Sequence, residues 1–282
     1  MQKVDQIIKK MAAGGAAKLH ILADFDRTLT LAFVNGVATP SITAILRDHN
    51  YLTPDYPAKA KALYAHYGAI EKDPKFPKEK KKELMNEWWR AHFDLLMKSG
   101  LSKNDIAQAM ASGIVQFRPG ALEFIDTLHK HDIPLVIMSA SGIGEESISA
   151  RLKQENRHLK NIHIIGNAFI WDENDKAIGF REPIITGMNK DKTMIQSFPA
   201  FEAVKDRPNV ILLGDNLGDV GMVEGFPFQN LLKIGFLNEP TPEAAEEYAK
   251  HFDVIIPDDG PFDYVNEVLK KVIDNADGYA RR

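Results

Sequence analysis

A chain of 282 residues with 44% hydrophobic and 26% charged content is ordinary globular material, long enough for one large or two modest domains. Its net charge of −4 and pI of about 6.2 give no electrostatic footprint for a nucleic-acid polymer. The absence of cysteine excludes disulfides, thiolate chemistry and cysteine-based metal sites.

Residues 1–17 mix Ile7, Ile8 and Met11 with Lys3, Lys9 and Lys10. Without a continuous apolar core they predict a short amphipathic helix ended by Gly14-Gly15, not a signal peptide. No apolar run approaches membrane-spanning length, so a cytoplasmic protein with no membrane partner is expected. The run Leu19-His20-Ile21-Leu22-Ala23 predicts a buried strand. Asp24-Phe25-Asp26-Arg27-Thr28-Leu29 follows at once and places two carboxylates and a hydroxyl where that strand ends. Buried unpaired charge is costly, and open α/β sheets bind ligands beyond the carboxyl ends of their strands. A metal ion or phosphate chemistry accounts for the pair; a solvated turn is the alternative.

From 41 to 112 the chain turns to Ala, Lys, Leu, Glu and Tyr at helical spacing. Helices are predicted over 41–49, 56–67, 78–98 and 102–112, with Ser41 and Ser102 as N-caps and Pro77 in a first turn. The expected division is an α/β core of 1–32 and 117–282 and a helical cap of 33–116. Glycines at the two crossings, near 32–36 and 113–118, offer hinges for a lid. Strands at 133–138, 162–165, 210–213, 232–236 and 254–256 then alternate with helices at 121–130, 145–155, 191–198, 219–225, 242–251 and 262–273. The alternation predicts an α/β fold, a doubly wound, mostly parallel sheet with the cap inserted after its first strand. Segments 169–171 and 177–180 read as a hairpin whose acidic turn lacks the spacing of an EF-hand loop.

The predicted strand ends carry the chemistry. The first bears Asp24 and Asp26, the second Ser139-Ala140-Ser141-Gly142, and the strand at 210–213 bears Gly214-Asp215-Asn216-Leu217-Gly218-Asp219. Asn189-Lys190-Asp191 opens a helix. Carboxylates suit Mg²⁺, which keeps waters for a substrate phosphate; lysine, hydroxyl and helix N-terminal amides suit the phosphate itself.

In this order the four segments resemble the motifs of the haloacid dehalogenase (HAD) superfamily, and imply its Rossmann-like core. A closer resemblance is to the cytosolic pyrimidine 5′-nucleotidase family. It is carried by Tyr64 and Tyr67, Ile70-Glu71-Lys72-Asp73-Pro74, Glu87-Trp88-Trp89, Phe117-Arg118-Pro119-Gly120, Asn189-Lys190 and Leu232-Lys233-Ile234-Gly235-Phe236-Leu237-Asn238. The chain departs from that family over 35–42 and at His92, where the aligned family has a serine, and this leaves the base preference open.

The resemblance implies that Asp24 attacks phosphorus and that Mg²⁺ is held by Asp24, Asp215 and the backbone carbonyl of Asp26. It makes Asp26 the acid and base, its pKa raised by a neighbouring carboxylate. Ser139 and Ala140 hold phosphate oxygens, Lys190 balances charge, Asp219 orients Lys190 or supports the metal ligands, and Thr28 supports the loop. Glu71 and His92 face the substrate from the cap, while Trp88 and Trp89 read more readily as cap packing. The implied activity is hydrolysis of a nucleoside 5′-monophosphate, a pyrimidine one first. The alternatives are another small phosphate ester or a non-catalytic nucleotide sensor. In each reading the partner is a small molecule.

Overall fold

The structure, a computed structural model, describes residues 2–73, 75–187, 190, 198–225 and 228–279. Helix α1 (Gln2–Gly14) buries Ile8, Met11 and Ala12, and the chain turns at Gly15 into β1 (Leu19–Ala23), which is buried throughout. Beyond β1, two short strands, β2 (Phe33–Val34) and β3 (Val37–Ala38), form an antiparallel hairpin absent from the sequence reading. Its turn residues Asn35 and Gly36 both take positive φ, 52° and 75°. That is the primed turn for which Asn-Gly is the strongest short-range signal.

Four helices follow: α2 (Ile42–Asp48), α3 (Tyr56–Lys72), α4 (Lys78–Lys98) and α5 (Lys103–Ala111). Ser41 caps α2, and Ser102 makes a reciprocal capping box with Asp105 on α5. Helix α3 continues past the expected stop at Tyr67, through Gly68, because it is packed along α4. The extension puts Glu71 in its last turn. A ladder of near-parallel rings joins α3 to α4: Tyr67 of α3 on Trp88, Trp88 on Trp89, and Trp89 on His92, each pair 5.9 Å apart.

The chain then alternates through α6 (Ala121–Lys130), β4 (Leu135–Met138), α7 (Gly144–Gln154) and β5 (Ile162–Ile165). A hairpin of β6 (Phe169–Trp171) and β7 (Ala177–Phe180) packs Phe169 and Phe180 edge-on against Phe93 of α4. Next come α8 (Ala200–Val204), β8 (Asn209–Gly214), β9 (Asn230–Leu237), α9 (Pro242–His251), β10 (Val254–Pro257) and α10 (Asp263–Tyr279). The helix expected over 191–198 lies almost wholly outside the described residues. That expected over 219–225 is instead a 3₁₀-helix, Leu217–Gly225, because Asp219 and Asn216 side chains take the backbone N–H groups of the turn.

The main sheet has six strands in the order β10-β9-β8-β1-β4-β5, and every pair in it is parallel. The chain leaves β1 toward β4 and later returns to its other side at β8, so β1 and β8 flank a topological switch point. Ala23 is in register with Leu213 on one side and Ile137 on the other. This alignment brings the residues after three strands to one edge. The largest hydrophobic cluster joins sheet residues such as Ile21 and Leu213 to Ile45, Tyr56, Phe93 and Ile106 of the inserted helices. The base of the insertion therefore shares the core of the sheet. Tyr67, Met85 and Trp88 form a small cluster of their own. Among the described residues no helix is long and apolar enough to cross a membrane.

Candidate active site

Asp24 continues β1, and its N–H still donates to the Leu213 carbonyl at 3.0 Å. The ladder thus fixes Asp24 beside Gly214, immediately before Asp215. Carboxylate oxygens of Asp24, Asp215 and Asp219 lie within 4.8 Å of one another. Gly214 permits the tight return, since a Cβ there would meet the Asp219 side chain at 2.6 Å. Lys190 is buried with them; its Nζ donates to Asp24 Oδ1 and, at 2.8 Å, to Asp219 Oδ1. The other Asp219 oxygen accepts the N–H groups of Asp215 at 3.1 Å and Asn216 at 3.0 Å. Asp219 is therefore a fully used anchor that holds both Lys190 and the Asp215 turn.

The electrostatics follow from this crowding. Burial raises the Asp24 pKa well above the usual carboxylate range; Lys190 opposes, and Asp219, Asp215 and Asp26 add to the rise. Asp215 is pushed up to about 7, first by burial and then by Asp219. Among the described residues it makes no ion pair. Burial lowers the Lys190 pKa, but Asp24 and Asp219 outweigh it and the ammonium is held charged. Asp26 is also raised, by burial, while Lys190 and Arg27 pull it down. This corrects the expected cause, since desolvation rather than a neighbouring carboxylate lifts Asp26.

These groups line a cleft of about 600 Å³ that also takes in Arg27, Glu71, Ser139, Ala140 and Ser141. A second cavity of about 560 Å³ beneath the inserted helices shares Asp26, Glu71, Trp89, Ala140 and Ser141 with it and reaches Trp88, Tyr64 and His92. Ser139 is buried at the end of β4, and its Oγ accepts the Ser141 N–H at 3.0 Å, shaping the loop. Gly142 lets Trp89 close over that loop, because a Cβ there would lie 2.4 Å from the indole. His92 is buried, shares a 3.0 Å hydrogen bond with the Tyr56 hydroxyl, and is depressed to about 4 by burial and then Arg47. It is a neutral wall of the outer cavity.

Thr28, unlike the other expected site residues, lines neither the cleft nor the second cavity. Its hydroxyl is buried with no hydrogen-bond partner among the described residues, while its backbone is used: the N–H donates to the Phe25 carbonyl at 3.3 Å and the carbonyl accepts from Arg118. Trp88 and Trp89 divide: Trp88 belongs to the small cap cluster, whereas Trp89 lines both cavities.

Several residues outside the expected set also shape the site. Ser141 places on the cleft a buried Oγ that has no hydrogen-bond partner among the described residues. Tyr248 donates its hydroxyl to the Asp215 carbonyl, and Asn238 Nδ2 lies 3.5 Å from Asp215 Oδ2. Ser141 was visible as part of a Gly-rich turn at a strand end. Tyr248 gives no local signal, because its work is done on a backbone atom. A further cavity of about 620 Å³ between α5 and α7 lies away from the clustered aspartates; Oε1 of its half-buried Glu146 accepts from Phe169 N and Trp171 Nε1, and its Oε2 has no hydrogen-bond partner among the described residues.

A parallel sheet that presents a cluster of aspartates around one buried lysine at its switch point, under inserted helices, is the arrangement of a phosphomonoesterase. The family described as Pyrimidine 5′-nucleotidase (UMPH-1) matches residues 27–273. The chain belongs to that family. It is 34% identical over 273 residues to a chicken (Gallus gallus) protein named 7-methylguanosine phosphate-specific 5′-nucleotidase, covering 96% of this chain and 94% of that one. The human protein of the same name is 34% identical over 272 residues, covering 96% and 90%. The crystal structure of cytosolic 5′-nucleotidase IIIB bound to cytidine superposes with a TM-score of 0.89 at 27% identity, covering 98% of this chain and 93% of that one.

Proposed function

We propose that this phosphomonoesterase is a cytosolic, Mg²⁺-dependent nucleoside 5′-monophosphatase that works through an aspartyl-phosphate, with 33–116 serving as the specificity cap. The observation that carries the reading is the buried Lys190 bridging Asp24 and Asp219 at the floor of a cleft large enough for a mononucleotide. The donor set fits a hard divalent cation: three clustered carboxylates face one lysine, and Asp215 lacks a charged partner among the described residues. Asp24 and Asp215, with the Asp26 carbonyl, would hold Mg²⁺, which when bound offsets charge between the acids and the phosphate.

Asp24 is the nucleophile in this reading. Lys190 opposes the upward pull of burial on the Asp24 pKa and screens the carboxylate from the incoming dianion. Asp26, lifted by burial, carries a proton for the leaving alkoxide and later takes one from the attacking water. Ser139, Ser141 and the Ala140 amide receive phosphate oxygens. Asp219 fixes Lys190 and the Asp215 turn without contacting substrate. An intact nucleophile, acid and lysine give a pure nucleotide sensor no advantage.

The nucleoside extends into the outer cavity between Trp89, Glu71 and His92. A carboxylate beside an indole face favours a base that offers an exocyclic amine or carries positive charge. Cytosine meets the first condition and 7-methylguanine meets both. The names of the chicken and human relatives favour 7-methylguanosine monophosphate as a second reading beside the pyrimidine one. Hydrolysis of cytidine, uridine, guanosine and 7-methylguanosine monophosphates and an aryl phosphate separates them. Cytidine and 7-methylguanosine monophosphates are expected to lead. Glu71→Ala is expected to lower kcat/KM for those two by about 10–200-fold while changing the aryl ester less than about threefold. Equal loss on every substrate would remove Glu71 from base recognition.

A further inference from the structure

We infer that Arg118, which touches neither cleft, is a positioning residue for phosphoryl transfer: it locks the turn after Asp26 to the loop that carries Asp215. The inference rests on the function proposed above and adds a residue to it. Arg118 lies on the chain just after the inserted helices, and its side chain is fully buried. All five of its N–H donors are used. Nε donates to the Thr28 carbonyl at 2.8 Å, and Nη2 to the Arg27 carbonyl and, at 2.6 Å, to Asn238 Oδ1. Nη1 donates to the Gly260 carbonyl at 2.9 Å and pairs with Asp259 Oδ1 at 2.8 Å. The guanidinium carbon sits 4.4 Å from the centre of the Phe236 ring.

These contacts meet at the point where the active-site backbone is least willing to stay in place. Arg27 adopts φ 59°, a left-handed conformation that a non-glycine residue holds only when its surroundings impose it. Two carbonyls of that turn are held by Arg118, and Asn238 Nδ2 donates to the Arg27 carbonyl as well, at 3.1 Å. The same Asn238 nitrogen lies 3.5 Å from Asp215 Oδ2, so the guanidinium connects the Asp26 side of the site to the Asp215 side through one amide. Asp259, its counter-charge, also accepts the N–H groups of Ala32 at 2.9 Å and Phe33 at 3.0 Å, where the chain crosses into the inserted helices. One buried cation therefore sets the spacing of two acid-bearing loops and anchors the first crossing.

A lysine at 118 keeps the charge facing Asp259 but loses the planar fork that reaches Arg27, Thr28 and Asn238 together. Misplacement of reacting groups by about 1 Å costs on the order of 10²-fold in rate. The test compares wild type with Arg118→Lys and Asn238→Ala, with three readouts: thermal melting, calorimetric binding of Mg²⁺ to the full chain, and steady-state hydrolysis of an aryl phosphate and a nucleoside monophosphate. Arg118→Lys is expected to lower kcat about 100-fold on both substrates with KM within about threefold, and to weaken Mg²⁺ about tenfold. Asn238→Ala, which leaves the buried ion pair intact, is expected to weaken Mg²⁺ by a similar factor with a smaller loss of kcat. A folded Arg118→Lys with wild-type kcat and Mg²⁺ affinity would overturn the inference, as would a loss confined to KM. If Arg118→Lys does not melt cooperatively, Asn238→Ala with unchanged Mg²⁺ affinity would overturn it alone. Wild type that hydrolyses no phosphate ester would refute the proposed function, and the Mg²⁺ isotherms would still decide the role of Arg118.

Discussion

Three carboxylates around a single ammonium leave Asp24, Asp215 and Asp219 with uncompensated negative charge, and this imbalance has a measurable consequence. Asp215 is raised to about 7 in the fold from an unfolded value of 3.8. Between those values the folded chain binds the extra proton, so the metal-free protein loses stability from this group as pH rises through that window. A cation would remove the penalty. Mg²⁺ is expected to raise Tm more at pH 8 than at pH 5, with about 2.7 kcal/mol of stabilisation at 100 times Kd, and a chelator should reverse it. A Tm indifferent to Mg²⁺ at both pH values would exclude the acids as a metal site. At this scale Asp24, Asp26, Ser139, Lys190 and Asp215 were legible because each ends a predicted strand or opens a predicted helix in a family-like order. Arg118, Asn238 and Tyr248 were legible only as residues of a resemblance or not at all. Their roles run through carbonyls, and no side-chain pattern announces where a backbone oxygen points.

The element that decides substrate recognition is the end of α3. Glu71 lies in its final turn, and Lys81 from the first turns of α4 closes that end, its Nζ donating to the carbonyls of Glu71 at 3.0 Å and Asp73 at 2.6 Å. A buried lysine donating to the last carbonyls of a helix is a charged C-cap supplied by a neighbouring helix. Lys81→Met is expected to fray this turn and raise KM for nucleoside monophosphates about tenfold, the cost of one charge-assisted hydrogen bond, with aryl phosphate turnover nearly unchanged. Equal slowing of both substrates would place Lys81 in the phosphate site instead. The helical spacing in the sequence carries α3 only to Tyr67, whereas packing on α4 carries the helix onward through Gly68. The start of α4 and the capping of α5 needed no tertiary help: Pro77, which stands at the N-cap of α4 rather than in its first turn, and Ser102 mark them in the sequence. The hairpin at Asn35-Gly36 had its turn signal, but its strands are too short for periodicity to register.

Across the whole molecule, the alternation of strands and helices specified a parallel α/β sheet, and the helical insertion was visible as a change of composition. The order of strands was not, because it depends on which side of β1 each crossover returns to. That order is what seats Asp215 beside Asp24. The helices of the insertion also bury Phe93, Ile106 and Tyr56 into the common core, a union invisible to a reading that divides the chain by composition. Global stability should carry the mark of two buried histidines. His20 and His92 are each lowered by burial to about 4 from 6.5. Between those values the unfolded chain binds the proton, so each contributes stability that is complete above pH 6.5 and is lost as pH falls toward 4, about 3 kcal/mol apiece. The stability difference between wild type and His92→Gln, from urea unfolding, is expected to shrink by that amount from pH 7 to pH 4. A difference independent of pH would show that His92 is not held neutral by burial.

The direct test of Asp24 as nucleophile is a single-turnover acid quench with nucleoside [³²P]monophosphate and Mg²⁺. Wild type should yield labelled protein that hydroxylamine strips, and Asp24→Asn, folded to the same melt, should yield none and turn over no substrate. Turnover without labelled protein at any quench time, or label persisting in Asp24→Asn, would contradict the account.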